Sequence, residues 1–130
     1  MLKVRVFSFS YLQNGIPADD SGNGGGYVFD CRFITNPGKY DEYKSKNGKD
    51  FEVKFFLETQ TEMPDFLKSV FTITDKAIDK YTKRDFTDLM VSFGCTGGQH
   101  RSVYAAEAMG KRIAEKFPNV LYEINHNNIK

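Results

Sequence analysis

The sequence has no tryptophan, only two cysteines and two histidines, and a net charge of +1, from 18 Lys and Arg against 17 Asp and Glu. Each shortage excludes something. Near-balanced charge removes the broad cationic face that grips long duplex nucleic acid, leaving room only for a local basic patch. Cys31, Cys95, His100 and His126 fall at unrelated spacings, so no structural zinc site is expected, and nothing implies a cofactor. No apolar run approaches the roughly 18 residues that cross a bilayer. The segment from Met1 to Tyr11 alternates apolar and polar residues and lacks the zones of a signal peptide. The expectation is a cytoplasmic protein with free thiols and no membrane contact.

What is present suits one domain over residues 1–130, with 40% hydrophobic and 27% charged residues. Leu2–Tyr11 alternates with period two and predicts a strand. Residues 12–26, with the run Ser21–Gly26, predict a flexible loop. Tyr27–Phe33 predicts a second strand, closed by the turn signal Asn36-Pro37-Gly38. Residues 39–50 are charged and predict a solvated segment; Asp50–Thr59 fits a helix or a strand, with Phe51, Phe55 and Phe56 favouring a short helix. Pro64-Asp65 predicts a helix start, after which Phe66, Val70, Ile73, Ala77, Ile78 and Tyr81 mark one apolar face. A buried strand follows at Leu89–Gly94. A helix from Ser102 carries Val103, Ala106, Gly110, Ile113 and Phe117 on one side, and Val120–Ile124 is the last strand. This order predicts an α/β fold: a layered mixed sheet flanked by helices, with a Gly-rich strand–loop–helix turn.

That turn, from Gly94 through Cys95, Thr96, Gly97, Gly98, Gln99, His100 and Arg101 to Ser102, carries the chemistry. Its glycines permit a tight reversal, in which successive N–H groups can form a nest for an anion. The helix behind supplies unsatisfied N–H donors and a positive dipole end. Arg101 offers a planar fork to phosphate oxygens, while Thr96 and Ser102 offer hydroxyls. The plainer alternative is a β–α turn whose glycines serve packing alone, but packing gives no reason for Thr, Gln, His, Arg and Ser to crowd together. No lysine stands where a Walker A loop needs one. Cys95 and Arg101 also match the Cys-x5-Arg-Ser/Thr spacing of tyrosine-phosphatase-type enzymes. In that alternative Cys95 is the nucleophile, Arg101 holds the oxygens, and Asp30 or Asp19 is the general acid. Two basic sets, Lys76, Lys80, Lys83, Arg84 and Lys111, Arg112, Lys116, read as solvated helix faces or as a modest RNA contact.

Gly94-Cys-Thr-Gly-Gly-Gln-His-Arg-Ser-Val103 resembles the signature of the C-terminal domain of the RNase adapter protein RapZ family. Phe29-Asp30-Cys31-Arg32-Phe33-Ile34-Thr35-Asn36-Pro37 is similar to a second family segment, and Ser8–Tyr11 with Gly15-Ile16-Pro17 to a third. The resemblance implies a non-catalytic domain that binds phosphate or a hexosamine phosphate such as glucosamine-6-phosphate, contacts small RNA as an adapter, and self-associates. It implies that Cys95 through Ser102 line the phosphate pocket, with Asp30, Arg32 and Asn36 facing it. Full-length relatives add an N-terminal kinase-like domain, which this chain is expected to lack. Gly38 departs from the family, which often places His shortly after Asn-Pro.

Overall fold

The computed structural model describes residues 1–129. Four strands, β1 (Lys3–Ser10), β2 (Tyr27–Asp30), β3 (Asp88–Cys95) and β4 (Leu121–His126), form one sheet in the order β2-β3-β1-β4. The helices are α1 (Phe51–Gln60), α2 (Met63–Lys83) and α3 (Arg101–Lys116), with short 3-10 turns at Pro37–Lys39 and Asp41–Tyr43. The layered α/β architecture is as expected, but the sheet is parallel at every pairing rather than mixed. The reason is connectivity. No two strands are joined by a tight turn, and each connection is a helix or long loop of the kind parallel neighbours require.

Direction of travel explains the layering. The steps β2 to β3 and β3 to β4 move the same way across the sheet, so right-handed crossovers bring α1, α2 and α3 to one face. Val4, Val6, Val91 and Phe93 meet them there, with Val53, Leu57, Leu67, Ala106, Met109 and Ile113 filling the core. The step β1 to β2 runs the other way, and the loop between them lies on the opposite face. Asp19 of that loop bonds Arg5 of β1, and Ile16 and Pro17 share a small cleft with Val28, Met90 and Ser92.

Helix phases refine the sequence reading. In α1 the core residues are Val53 and Leu57, while Phe51 and Phe55, which favour the helix in sequence, are exposed and stack on each other. In α2 the buried face is Met63, Leu67, Val70, Thr74, Ala77 and Ile78; Ile73, expected on it, is 45% exposed. Thr74 sits there at little cost because its hydroxyl donates to the Val70 carbonyl one turn back.

The end of α2 is a Schellman closure. Phe86 N–H donates to the Tyr81 carbonyl (3.0 Å), Asp85 N–H donates to that of Thr82 (3.1 Å), and Asp85 takes φ of +58°. The rings of Tyr81 and Phe86 lie 5.0 Å apart across it.

The loop between β1 and β2 was expected to be flexible, but its second half is tied to one carboxylate. Asp19 accepts from the Ser21 amide and hydroxyl, from the Gly25 amide, and from Arg5. Arg5 is held in turn by Asp88, through two bonds of 2.7 and 2.9 Å.

Candidate functional site

β3 and α3 make the site by meeting at a reversal of five residues. β3 is buried along almost its whole length, and its last residue, Cys95, is 2% exposed. Thr96 and Gly97 then emerge to solvent and α3 begins at Arg101. Gly98 takes φ of +67°, and a Cβ there would stand 2.9 Å from the Ser10 amide nitrogen. Gly97 differs: its φ lies outside the left-handed region, and a Cβ there would meet nothing within 4 Å. The fold demands glycine at 98; at 97 it leaves open space above the turn.

The backbone amides from Thr96 to Val103 donate to no acceptor among the described residues, and His100 caps α3 without a side-chain bond. These are the orphan donors of a helix start together with those of the turn before it. They sit at the carboxyl end of a parallel sheet, where open α/β folds place their ligands.

Arg101 is 4% exposed. Its Nη1 donates to the Arg32 carbonyl (2.8 Å) and the Ile34 carbonyl (2.9 Å), which saturates that nitrogen and ties α3 to the turn leaving β2. Its Nη2 has only a long contact, 3.4 Å, to Thr96 Oγ1, and its Nε is buried with no acceptor among the described residues. The two nitrogens left over are the pair that forms a bidentate edge.

Other side chains of the turn build walls. Gln99 Nε2 donates to the carbonyls of Lys44 (2.8 Å) and Lys46 (2.6 Å), and the Gln99 carbonyl accepts from Gly48 N–H (2.9 Å). His100 Nε2 donates to the Tyr43 carbonyl at 2.8 Å. Together they strap residues 43–48 against the turn. The cleft so formed, about 280 Å³, is lined by Asn36, Gly38, Lys44, Cys95, Thr96, Gly97, Gln99, His100 and Arg101. Its lining holds two permanent cations, Lys44 and Arg101, and no carboxylate; Asp41, outside the lining, pairs with Lys44 at 2.9 Å.

The structure thus gathers Asn36, Cys95, Thr96, Gly97, Gln99, His100 and Arg101 into one cleft. Gly98 and Ser102 lie behind it, where the Cys95 thiol donates to Ser102 Oγ at 3.1 Å. Asp30 and Arg32 are not brought into the lining. Arg32 Nε and Nη2 bond the Asp30 carboxylate, and the Arg32 guanidinium lies over the Tyr11 ring, 3.8 Å from its centroid. The Arg32 side chain holds the Asp30 carboxyl below the usual carboxylate range, so Asp30 carries no proton to give at neutral pH. Burial pushes the Cys31 thiol well up, and both cysteines are free. Lys44 is a lining residue that the charged run 39–50 concealed. Tyr40 and Tyr43, aromatic among charges, were the signal that this segment packs, and both rings lie against Phe56.

Among the described residues no helix is long and apolar enough to cross a membrane. A family model described as "RapZ C-terminal domain" matches residues 2–130. A protein called nucleotide-binding protein from Fervidobacterium nodosum is 38% identical over 120 residues, which is 92% of this chain and 40% of that protein. One of the same name from Thermosipho melanesiensis is 37% identical over 128 residues, 98% of this chain and 43% of that protein. A third, from Ruminiclostridium cellulolyticum, is 37% identical over 123 residues. The chain therefore spans about two fifths of the length of these relatives.

Proposed function

The chain belongs to the RapZ C-terminal domain family, and from that premise we propose that it is a cytoplasmic phosphosugar-sensing domain whose ligand phosphate sits over Gly97–Arg101. One observation carries the reading: Arg101 is held in place by Nη1 while its Nε–Nη2 edge lacks a strong partner in a cleft without carboxylates. A phosphate would take that edge, the free amides of the turn, the Thr96 hydroxyl and the Lys44 ammonium. Asn36, at the far wall, would read the sugar. Asp30 and Arg32 act at one remove, since the Arg32 carbonyl positions Arg101. The nucleotide binding named for the longer relatives is not needed for this reading.

Calorimetry with glucosamine-6-phosphate, inorganic phosphate and glucosamine tests it. The two phosphates should bind at the turn, and the amino sugar without phosphate should not. Arg101→Lys keeps the charge but loses the fork, and should weaken binding about 10- to 100-fold, the worth of one or two charge-assisted hydrogen bonds. Because Arg101 also holds the turn after β2, the fold of the variant is checked by near-ultraviolet circular dichroism. Unchanged affinity in a folded variant removes Arg101 from the site.

The same proposal extends to a small-RNA adapter role and to self-association. Lys76 and Lys80 on α2, and Arg84 just past its end, are exposed with no ion pair among the described residues, whereas Arg112 and Lys116 are both bound to Asp75. RNA contact should therefore centre on α2 and fall steeply with salt in a gel-shift titration. A cysteine-dependent phosphatase is the second reading, favoured by Cys95 at the base of the turn beside Ser102. The charged, arginine-bound Asp30 speaks against its acid step. Aryl-phosphate turnover abolished by Cys95→Ser would replace the sensing reading with this one.

A further inference from the structure

A second cleft, about 600 Å³, opens at the other end of the sheet, where β2 and β3 begin and α2 stops. We propose that it binds an organic cation: an ammonium or guanidinium group carried on an apolar stem. Its walls include the rings of Tyr27, Tyr81 and Phe86, the carboxylates of Asp85 and Asp88, and no lysine or arginine. Rings offer their negative faces to a cation and their breadth to its stem. The Schellman closure of α2 places Tyr81 and Phe86 side by side, 5.0 Å between centroids and tilted by 47°.

The two carboxylates are not equivalent. Asp88 is engaged by Arg5 at 2.7 Å, and that one guanidinium also serves Asp19 at 2.6 Å and Asp20 at 3.6 Å. Three carboxylates thus share a single counter-charge at Arg5; of them Asp88 lines this cleft, and Asp19 lines the small one on the loop's face. Asp85 has no hydrogen bond or ion pair from its side chain among the described residues. It is held at the rim by the backbone bonds that end α2. A cation entering over the rings meets Asp85 as its direct partner and the residual charge around Arg5 behind it. The volume lies within the usual range for small-molecule sites. This cleft is independent of the one above Gly97–Arg101, which has the opposite charge.

Chemical-shift titration of the 130-residue chain tests the proposal. The probes are n-butylammonium, n-butylguanidinium and neutral n-butanol, with an N-acetylated, C-amidated Ala-Lys-Ala peptide standing for a protein side chain as the source of the same group. Both cations should move the Tyr27, Tyr81 and Phe86 ring signals, and butanol should not. If the peptide shifts them at lower concentration than butylammonium, the natural source is a protein side chain; the reverse order assigns a free amine. Asp85→Asn removes the charge while keeping a residue that tolerates a positive φ, so α2 keeps its closure. It should weaken cation binding about tenfold or more. Phe86→Leu is the second variant, removing a ring but not the apolar contact, and should weaken it several-fold. Inorganic phosphate binding at the loop should be unchanged in both. Equal response to butylammonium and butanol, or an Asp85→Asn protein with undiminished cation binding, overturns the proposal.

Discussion

Gly98 is held at φ of +67° with backbone 2.9 Å from where a methyl group would go, while its neighbour Gly97 faces open space. The two positions should therefore respond differently to the same substitution. Gly98→Ala should destabilise the fold by about 1–2 kcal/mol, from left-handed strain and crowding against Ser10 and Asn128. Gly97→Ala should leave stability nearly unaltered and lower phosphate affinity, because its methyl group would occupy the space above the turn. Denaturant melts and phosphate calorimetry on the two proteins separate the effects. A Gly97→Ala protein that binds phosphate as tightly as the parent would move the ligand elsewhere along the turn. At this scale the sequence was informative about identity but not role. Gln99 and His100 read as ligand donors, yet their side chains hold carbonyls 53 to 57 residues away. Arg101 splits between both tasks, a division that no spacing rule contains.

Elements differ in how plainly they were written. α3 and β1 follow their hydrophobic periods because each lays one regular face on the core, Ala106, Met109 and Ile113 in α3 and Val4 and Val6 in β1. The apolar face of α2 was displaced by about one residue. Phe66 near its start turns to the rings of Phe29 and Phe33, and Thr74, polar in sequence, enters the core by bonding its own helix. The β1–β2 loop departs from its sequence pattern for a different reason: glycine content suggests freedom, but Asp19 collects donors from Ser21, Gly25 and Arg5. These bonds, led by the Ser21 amide, hold the Asp19 carboxyl well below its ordinary value. A depressed carboxylate stabilises the fold above the ordinary Asp value of about 3.9, and this is lost as pH falls below it toward the folded value. Amide exchange at Ser21 and Gly25 should accordingly quicken on acidification from about pH 4 downward, relative to the intrinsic rate. Asp19→Asn should abolish that dependence, and an unchanged profile would detach the loop from this carboxylate.

Across the whole molecule, β3 joins two mouths of opposite character: orphan amides, Lys44 and Arg101 at its carboxyl end, rings and carboxylates at its amino end. The net charge of +1 conceals this separation, which depends on topology rather than composition. The parallel sheet was only partly legible for the same reason. Strand order β2-β3-β1-β4 is a matter of which segments meet, and the alternation within each strand is silent on that. The strap of residues 43–48, and Lys44 with it, was hidden likewise in a run of charges. Ligand linkage offers a global readout. Phosphate at about 100 times its dissociation constant should add about 2.7 kcal/mol to unfolding. Thermal scans should then show the midpoint rising by several degrees, and Arg101→Lys should reduce the rise.

Arg101 is seated by the protein's own backbone, one nitrogen fastened to the turn after β2 and the chain around it packed. Its ordering was completed when the protein folded, so none is left to be done at the moment of encounter. Capture of an anion would then proceed in a single diffusive step, with a rate linear in concentration and no slow rearrangement behind it.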